Sequence, residues 1–155
     1  MSQAPQQINV GDLDLSSLAE VKRQLEEELT HLTNSLVQLK QAQSKFKACI
    51  ENVAELKPQN QNKTILVPLT NSLYVPGKLC DTEHVLVDVG TGYFVQKTRP
   101  QARKYYTNRV EYIQKNVETL DETIAKKREN MQYLVQVMQS KIQAQAAQTQ
   151  APSKS

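Results

Sequence analysis

The side chains best able to do chemistry sit close together in one stretch: Asp81, Glu83, His84 and Asp88 fall within eight residues. Carboxylates and an imidazole at that density are the donor types of a divalent-metal site. Acids flanking turns are usually solvated, however, and a metal needs ligands that converge. The only other histidine, His31, precedes an apolar seam position and is expected to face solvent. Cys49 and Cys80 lie far apart in no Cys-x-x-Cys pattern, so neither a disulfide framework nor a zinc site follows. Gly90-Thr91-Gly92 is followed by strand-type rather than helix-type sequence, and no Gly-x4-Gly-Lys-Ser/Thr phosphate loop exists. The run Lys126-Lys127-Arg128 carries no interleaved aromatics on which bases could stack, so it reads as a solvated helix face rather than a nucleic-acid platform. We therefore expect no catalytic, cofactor-binding or metal residue, no enzyme, and no dependence on ATP hydrolysis by this chain.

The elements around these residues carry the information instead. Apolar residues recur at alternating spacings of three and four along Leu15, Leu18, Leu25, Leu29, Leu32, Leu36, Leu39, Phe46, Ile50 and Val53, interrupted only by Lys22 and Gln43. A second stripe runs Tyr106, Val110, Ile113, Val117, Leu120, Ile124, Met131, Leu134 and Met138, interrupted only by Lys127. A 3.5-residue period sustained this long is the signature of a coiled coil. Between the stripes lie about forty residues rich in Val, Leu, Tyr, Gly and Pro that cannot continue a helix. The chain must fold back there, giving a mainly α fold: an antiparallel two-helix coiled coil joined by two β-hairpins. Placing Val53 opposite Tyr106 gives layers such as Phe46/Ile113, Leu39/Leu120, Leu32/Lys127 and Leu18/Lys141.

The chain of 155 residues reads as one domain: tail 1–13, helix one 14–57, double hairpin 58–98, helix two 99–147, tail 148–155. Ser17-Leu-Ala-Glu20 reads as a capping box for helix one, and Pro58 stops it. Thr98 can cap helix two, with Pro100 in its tolerant first turn. Strands are expected over Thr64–Thr70 and Ser72–Leu79, then His84–Val89 and Tyr93–Lys97 across the Gly90-Thr91-Gly92 turn. No apolar stretch approaches a membrane span, and the start lacks the basic and apolar regions of a signal peptide. The cytoplasm is the expected compartment, with a nuclear share left open. The net charge of +3 lies mostly in the second helix, where residues 99–147 hold nine basic against five acidic side chains.

Val85, Val87 and Val89 share one face with Leu86 on the other, and Ile65, Val67 and Leu69 oppose Leu66, so both faces of the hairpins are partly apolar. So short a segment rarely buries enough surface to stand alone. Bare hairpins with free edges would aggregate unless covered. Val67, Leu69, Tyr74, Val75, Val85, Val87, Tyr93 and Val95 are therefore expected to be buried only when hairpins of other subunits join. Apolar residues outside the seam collect toward the chain termini: Ile8, Val10, Leu13 and Val21, then Val135, Val137 and Ile142. Surplus apolar surface there, beside the seam interruptions Lys22 and Lys127, suits transient contact with unfolded chains.

Ile65-Leu-Val-Pro-Leu-Thr70, Ser72-Leu-Tyr-Val-Pro-Gly-Lys-Leu79 and His84-Val-Leu-Val-Asp-Val-Gly-Thr-Gly-Tyr-Phe-Val95 closely resemble the double-hairpin region of eukaryotic α-class prefoldin subunits. The likeness covers roughly residues 14–147, and the β string is its specific part. It implies a heterohexamer of two α-class and four β-class subunits, whose hairpins form paired β-barrels with six coiled-coil arms. It also implies capture of unfolded proteins, actin and tubulin prominently, and their delivery to the cytosolic group II chaperonin. The competing readings are an inert coiled-coil adaptor and a transcription-regulating interaction protein using the basic second helix.

Overall fold

The computed structural model describes residues 10–149. After a 3-10 turn at Val10–Asp12, helix α1 spans Leu15–Glu55, strands β1 to β4 span Thr64–Pro68, Tyr74–Lys78, His84–Gly90 and Tyr93–Thr98, and helix α2 spans Arg99–Thr149. A second 3-10 turn, Pro58–Asn60, follows α1. The seam stripes become the sides of the helices that meet. All twelve α1 positions from Leu15 to Val53 and all ten α2 positions from Tyr106 to Met138 are buried or half-buried, the polar interruptions included.

The start of α1 differs from the expected box. Asp14, not Ser17, caps the helix: its carboxylate accepts the Ser16 hydroxyl and, at 3.2 Å, the Ser17 backbone N–H. Glu20 instead holds Arg23 at 2.6 Å. Aspartate is as good as serine at the N-cap position, and Asp14 is the residue that occupies it, immediately before Leu15. At α2 the reciprocal box does form. The Gln101 N–H donates to the Thr98 hydroxyl at 3.4 Å, and the Thr98 N–H donates to the Gln101 side chain at 3.1 Å.

The chain folds as two compact units. The hairpin unit, Gln38–Val117, holds all four strands and the helix segments that flank them. Its sheets have two strands each, β1–β2 and β3–β4, both antiparallel, and neither closes into a barrel. In the first, Val67 faces Val75 and Leu66 faces Pro76. In the second, Val87 faces Val95 and Leu86 faces Gln96, with a bulge between Asp88 and Gly90. The β3–β4 turn needs positive φ at Gly90 (131°) and Gly92 (78°), which glycine adopts without steric cost. The β1–β2 connection is wider than a turn centred on Asn71. Strand pairing stops at Pro68 and Tyr74, and Leu69 to Leu73 form a loop closed by the Leu69 N–H to the Leu73 carbonyl at 2.9 Å.

The core of this unit joins Val53 of α1, Val87 of β3 and Ala102 of α2, with Val85, Val89, Tyr105 and Tyr106 packed around them. Phe46 and Tyr106 rings meet at 6.0 Å, and the Gln43 amide donates to Gln114 at 2.7 Å. Arg99 donates to the Leu56 carbonyl, satisfying a backbone acceptor just past the end of α1.

The second unit combines the first part of the chain, through Val37, with the segment from Glu118 onward. Leu18, Ile124 and Leu134 are its buried apolar residues. Lys127 pairs with Glu28, and Lys141 donates to the Leu13 carbonyl, so the segments run antiparallel here. In each unit the register differs from the expected one by about one helical turn. Val53 is buried with Ala102, with Tyr106 only at the edge of that cluster, and Lys127 reaches Glu28, one turn from the expected Leu32 layer. The cause is Ala102, wholly buried at 0% exposure. A reading keyed to large apolar side chains starts the second stripe one turn late, because a methyl group is enough to fill this seam position.

Candidate functional site

The hairpins expose what a core would normally hide. Six of the eight residues expected at an assembly surface, Val67, Leu69, Tyr74, Val75, Tyr93 and Val95, are exposed in the single chain, and Val85 is half-buried. Val87 departs from the expectation. At 1% exposure it is already enclosed by Val53 and Ala102, so it needs no second subunit to cover it. Sequence alternation placed Val85, Val87 and Val89 on one face correctly, but not the helix roots beneath that face. Residues of the opposite face are more exposed than the valines singled out: Leu66 at 67%, Leu86 at 71%, and Phe94 with them. The leaky alternation that puts Leu66 and Leu86 on the second face was their signal.

Exposed strand edges and apolar faces are a ready template for further strands. Here both sheets are two-stranded, so every strand has a free ladder edge. Pro68 and Pro76 remove donors from β1 and β2. Gly77 lies close under Val67: a Cβ there would stand 3.2 Å from a Val67 methyl, so even alanine would crowd this face.

At the helix ends, Ile8 lies outside the described residues. Val21 and Ile142 are exposed, whereas Val10, Leu13, Val135 and Val137 are half-buried. The unit's apolar surplus is thus divided between a widened packing stripe and open surface.

The acidic cluster is occupied with local structure. Asp81 accepts the Glu83 and His84 backbone N–H groups at 2.8 and 3.1 Å and meets the His84 ring at 3.1 Å. Those amides, that of Glu83 first, hold its carboxyl below the usual range. Asp88 accepts the Gly90 N–H at 2.9 Å in the bulge. Among the described residues no three His, Cys, Asp or Glu side chains gather as a metal-holding group. Cys49 is half-buried beside Tyr106, whose phenol is pushed up chiefly by burial, and Cys80 is exposed. No helix among the described residues is long and apolar enough to cross a membrane.

Two long antiparallel helices bracketing two exposed hairpins define a class, and comparison with known proteins gives the same one. Residues 25–144 match the Prefoldin subunit family. The chain is 40% identical over 138 residues to "Prefoldin subunit 5" of Homo sapiens, covering 89% of this chain and 90% of that protein. It is 41% identical over 155 residues to "Probable prefoldin subunit 5" of Dictyostelium discoideum, covering 96% of each. Against the protein of the same description from Schizosaccharomyces pombe it is 39% identical over 153 residues, covering 97% and 99%. Among solved structures, "Cryo-EM structure of filamentous PFD from Methanocaldococcus jannaschii" matches with a TM-score of 0.67 at 20% identity, covering 76% of this chain and 97% of that one, a likeness of fold. The chain belongs to the prefoldin subunit family. Prefoldin subunits are chaperone components without enzymatic activity, and they assemble with one another.

Proposed function

We propose that this chain is an α-class subunit of a heterohexameric, ATP-independent co-chaperone of the cytoplasm. In this reading its hairpins complete β-barrels with those of the other α-class and the β-class subunits. The assembled complex captures unfolded proteins, actin and tubulin among them, and hands them to the cytosolic group II chaperonin. One observation carries the proposal: the hairpins present Leu66, Val67, Tyr74, Val75, Tyr93 and Val95 to solvent on two-stranded sheets with unpaired edges. Surface of that kind marks a site where further strands or another protein surface join.

Client contact falls to the helix ends, through Ile8, Val10, Leu13, Val21, Val135, Val137 and Ile142. Each apolar side chain contributes at most ~1.5–3 kcal/mol before ordering costs, so one subunit binds weakly and several must act together. The test is reconstitution with the other α-class and β-class subunits, followed by size exclusion with light scattering. Wild type is expected to enter the hexamer, and Val67→Asp with Val95→Asp to stay out of it. A variant lacking residues 1–14 and 140–155 is expected to assemble but to suppress aggregation of unfolded actin less well. Full assembly of the double aspartate variant would remove the hairpins from the interface, and full suppression by the truncated one would remove these ends from client binding.

A further inference from the structure

The charge of this chain is sharply divided. Residues 38–117 hold twelve Lys/Arg against six Asp/Glu, a net +6, while the remaining residues hold seven against ten, a net −3. Within the hairpin unit the asymmetry concentrates where α2 begins. From Lys97 to Val110 there are five cations, Lys97, Arg99, Arg103, Lys104 and Arg109, and no acidic residue. The first turns of a helix favour acids, because the aligned peptide dipoles put partial positive charge there. This helix breaks that rule, and nothing in its own sequence offsets it.

Three of the five cations are accounted for. Lys97 and Arg109 sit over the Tyr105 ring at 5.7 and 5.3 Å. Arg99 donates to the Leu56 carbonyl and lies 3.9 Å from Glu83, although its Nε–H is buried with no acceptor. Arg103 and Lys104 have no hydrogen bond or ion pair among the described residues. Glu51 and Glu55, the acids of α1 in this unit, pair with neither. These two cations and Arg99 line a groove of about 530 Å³ together with Pro100, Thr107 and Asn108 of α2 and Val53 and Ala54 of α1.

We propose that this groove docks a short acidic segment of a partner protein, with carboxylates on Arg103 and Lys104 and an adjoining apolar side chain against Val53 and Ala54. Charge complementarity selects the acid, since an unpaired guanidinium presents a donor fork matched to a carboxylate. The apolar part of the lining selects a peptide over a nucleic acid. The two unpaired cations are adjacent residues of α2 instead of being spaced along a phosphate track, and the nearby rings are already engaged, Tyr105 by Lys97 and Arg109 and Tyr106 by Phe46 and the core.

The test uses the assembled complex containing this subunit and a fluorescein-labelled peptide of alternating Glu and Leu, read by fluorescence anisotropy. Binding is expected, weakening as salt rises, and absent for the same peptide with Gln in place of Glu. Arg103→Gln with Lys104→Gln is expected to weaken it about tenfold or more, while Lys126→Gln with Arg128→Gln, the same loss of charge in the other unit, leaves it unchanged. Ala54→Gln, which puts a longer polar side chain into the groove without altering charge, is expected to weaken it too. Three results would overturn the proposal. They are equal losses in both double variants, tighter binding of a single-stranded oligonucleotide of matched charge, or binding by the isolated chain that vanishes in the complex, which would make the groove an internal contact between subunits.

Discussion

The two hairpins are built from similar residues, yet only one of them enters the core of the chain. β3–β4 turns Val85, Val87 and Val89 onto the helix roots, where Val87 fills a hollow between Val53 and Ala102. β1–β2 has an equally apolar face, Ile65, Val67 and Val75, but no residue of either strand is buried. The difference lies beneath the strands. Ala102 is small enough to let β3 approach α2, and among the described residues β1 contributes nothing to that cluster. A valine's place in a strand therefore does not decide whether it stabilises this chain or waits for another. The helix under it decides that.

The strongest way to break this contrast is to put a charge into each hairpin. Val87→Asp places an uncompensated carboxylate in a closed apolar cluster and is expected to cost on the order of 3–5 kcal/mol, the range for a buried unpaired charge. Val67→Asp changes an exposed position, and the isolated chain is expected to keep its stability within about 0.5 kcal/mol. Urea unfolding of the isolated chain separates them: only Val87→Asp is expected to move the midpoint. Equal shifts would mean that β1–β2 is anchored as firmly as β3–β4.

Ala102→Leu sharpens the same point from the helix side. Adding three carbons at a wholly buried position forces neighbours to move, for an expected loss of about 1–3 kcal/mol. Because Val87 packs on Ala102, the amides of β3 are expected to exchange faster with solvent while those of β1 do not change. An unchanged midpoint and unchanged exchange would place the hairpin's anchor elsewhere.

Much of this architecture was legible in the residues. The heptad stripes locate the contact side of both helices, the prolines and glycines punctuate the hairpins, and the β string carries the family. Three things were not. The register slipped by a turn because Ala102 contributes almost nothing to an apolar pattern, yet occupies a seam position where close approach matters more than area. Val87 was expected at the subunit interface because alternation tells which strand residues share a face, never what that face meets. The basic groove escaped for a similar reason. Arg103 and Lys104 are ordinary helix residues in sequence, and only the packing of Val53 and Ala54 beside them makes a groove.

The seam itself offers a smaller effect. Gln43 is half-buried and donates to Gln114 at 2.7 Å, a neutral pair whose net worth is about 0.5–1.5 kcal/mol. Gln43→Leu gives up that bond and gains burial of an apolar side chain, worth up to ~1.5–3 kcal/mol if complete. A modest net stabilisation of about 0.5–1 kcal/mol is expected on these figures. If the variant is instead less stable, the Gln43–Gln114 bond fixes the register of the hairpin unit and its loss lets the helices slip.

The smallest effect lies at the far end of α1, where the contrast is between two candidate caps. Asp14 holds the first turn, and the Ser16 hydroxyl, followed by the hydroxyl and backbone N–H of Ser17, lowers its carboxyl from 3.8 to about 2. Since the folded value is depressed, the capping contribution is fully present above the unfolded value near 3.8 and is lost as pH falls through about 2. The Ser17 amide resonance is therefore expected to move with a midpoint near 2 in wild type and to show no such step in Asp14→Asn, which keeps a side-chain acceptor but does not titrate. Asp14→Ala is expected to fray Leu15 to Leu18 at neutral pH, seen as faster amide exchange confined to that turn. Ser17→Ala serves as the opposing arm. If it frays the turn while Asp14→Ala does not, the cap is the serine box after all, and the short Ser16–Asp14 contact contributes nothing to the start of the helix.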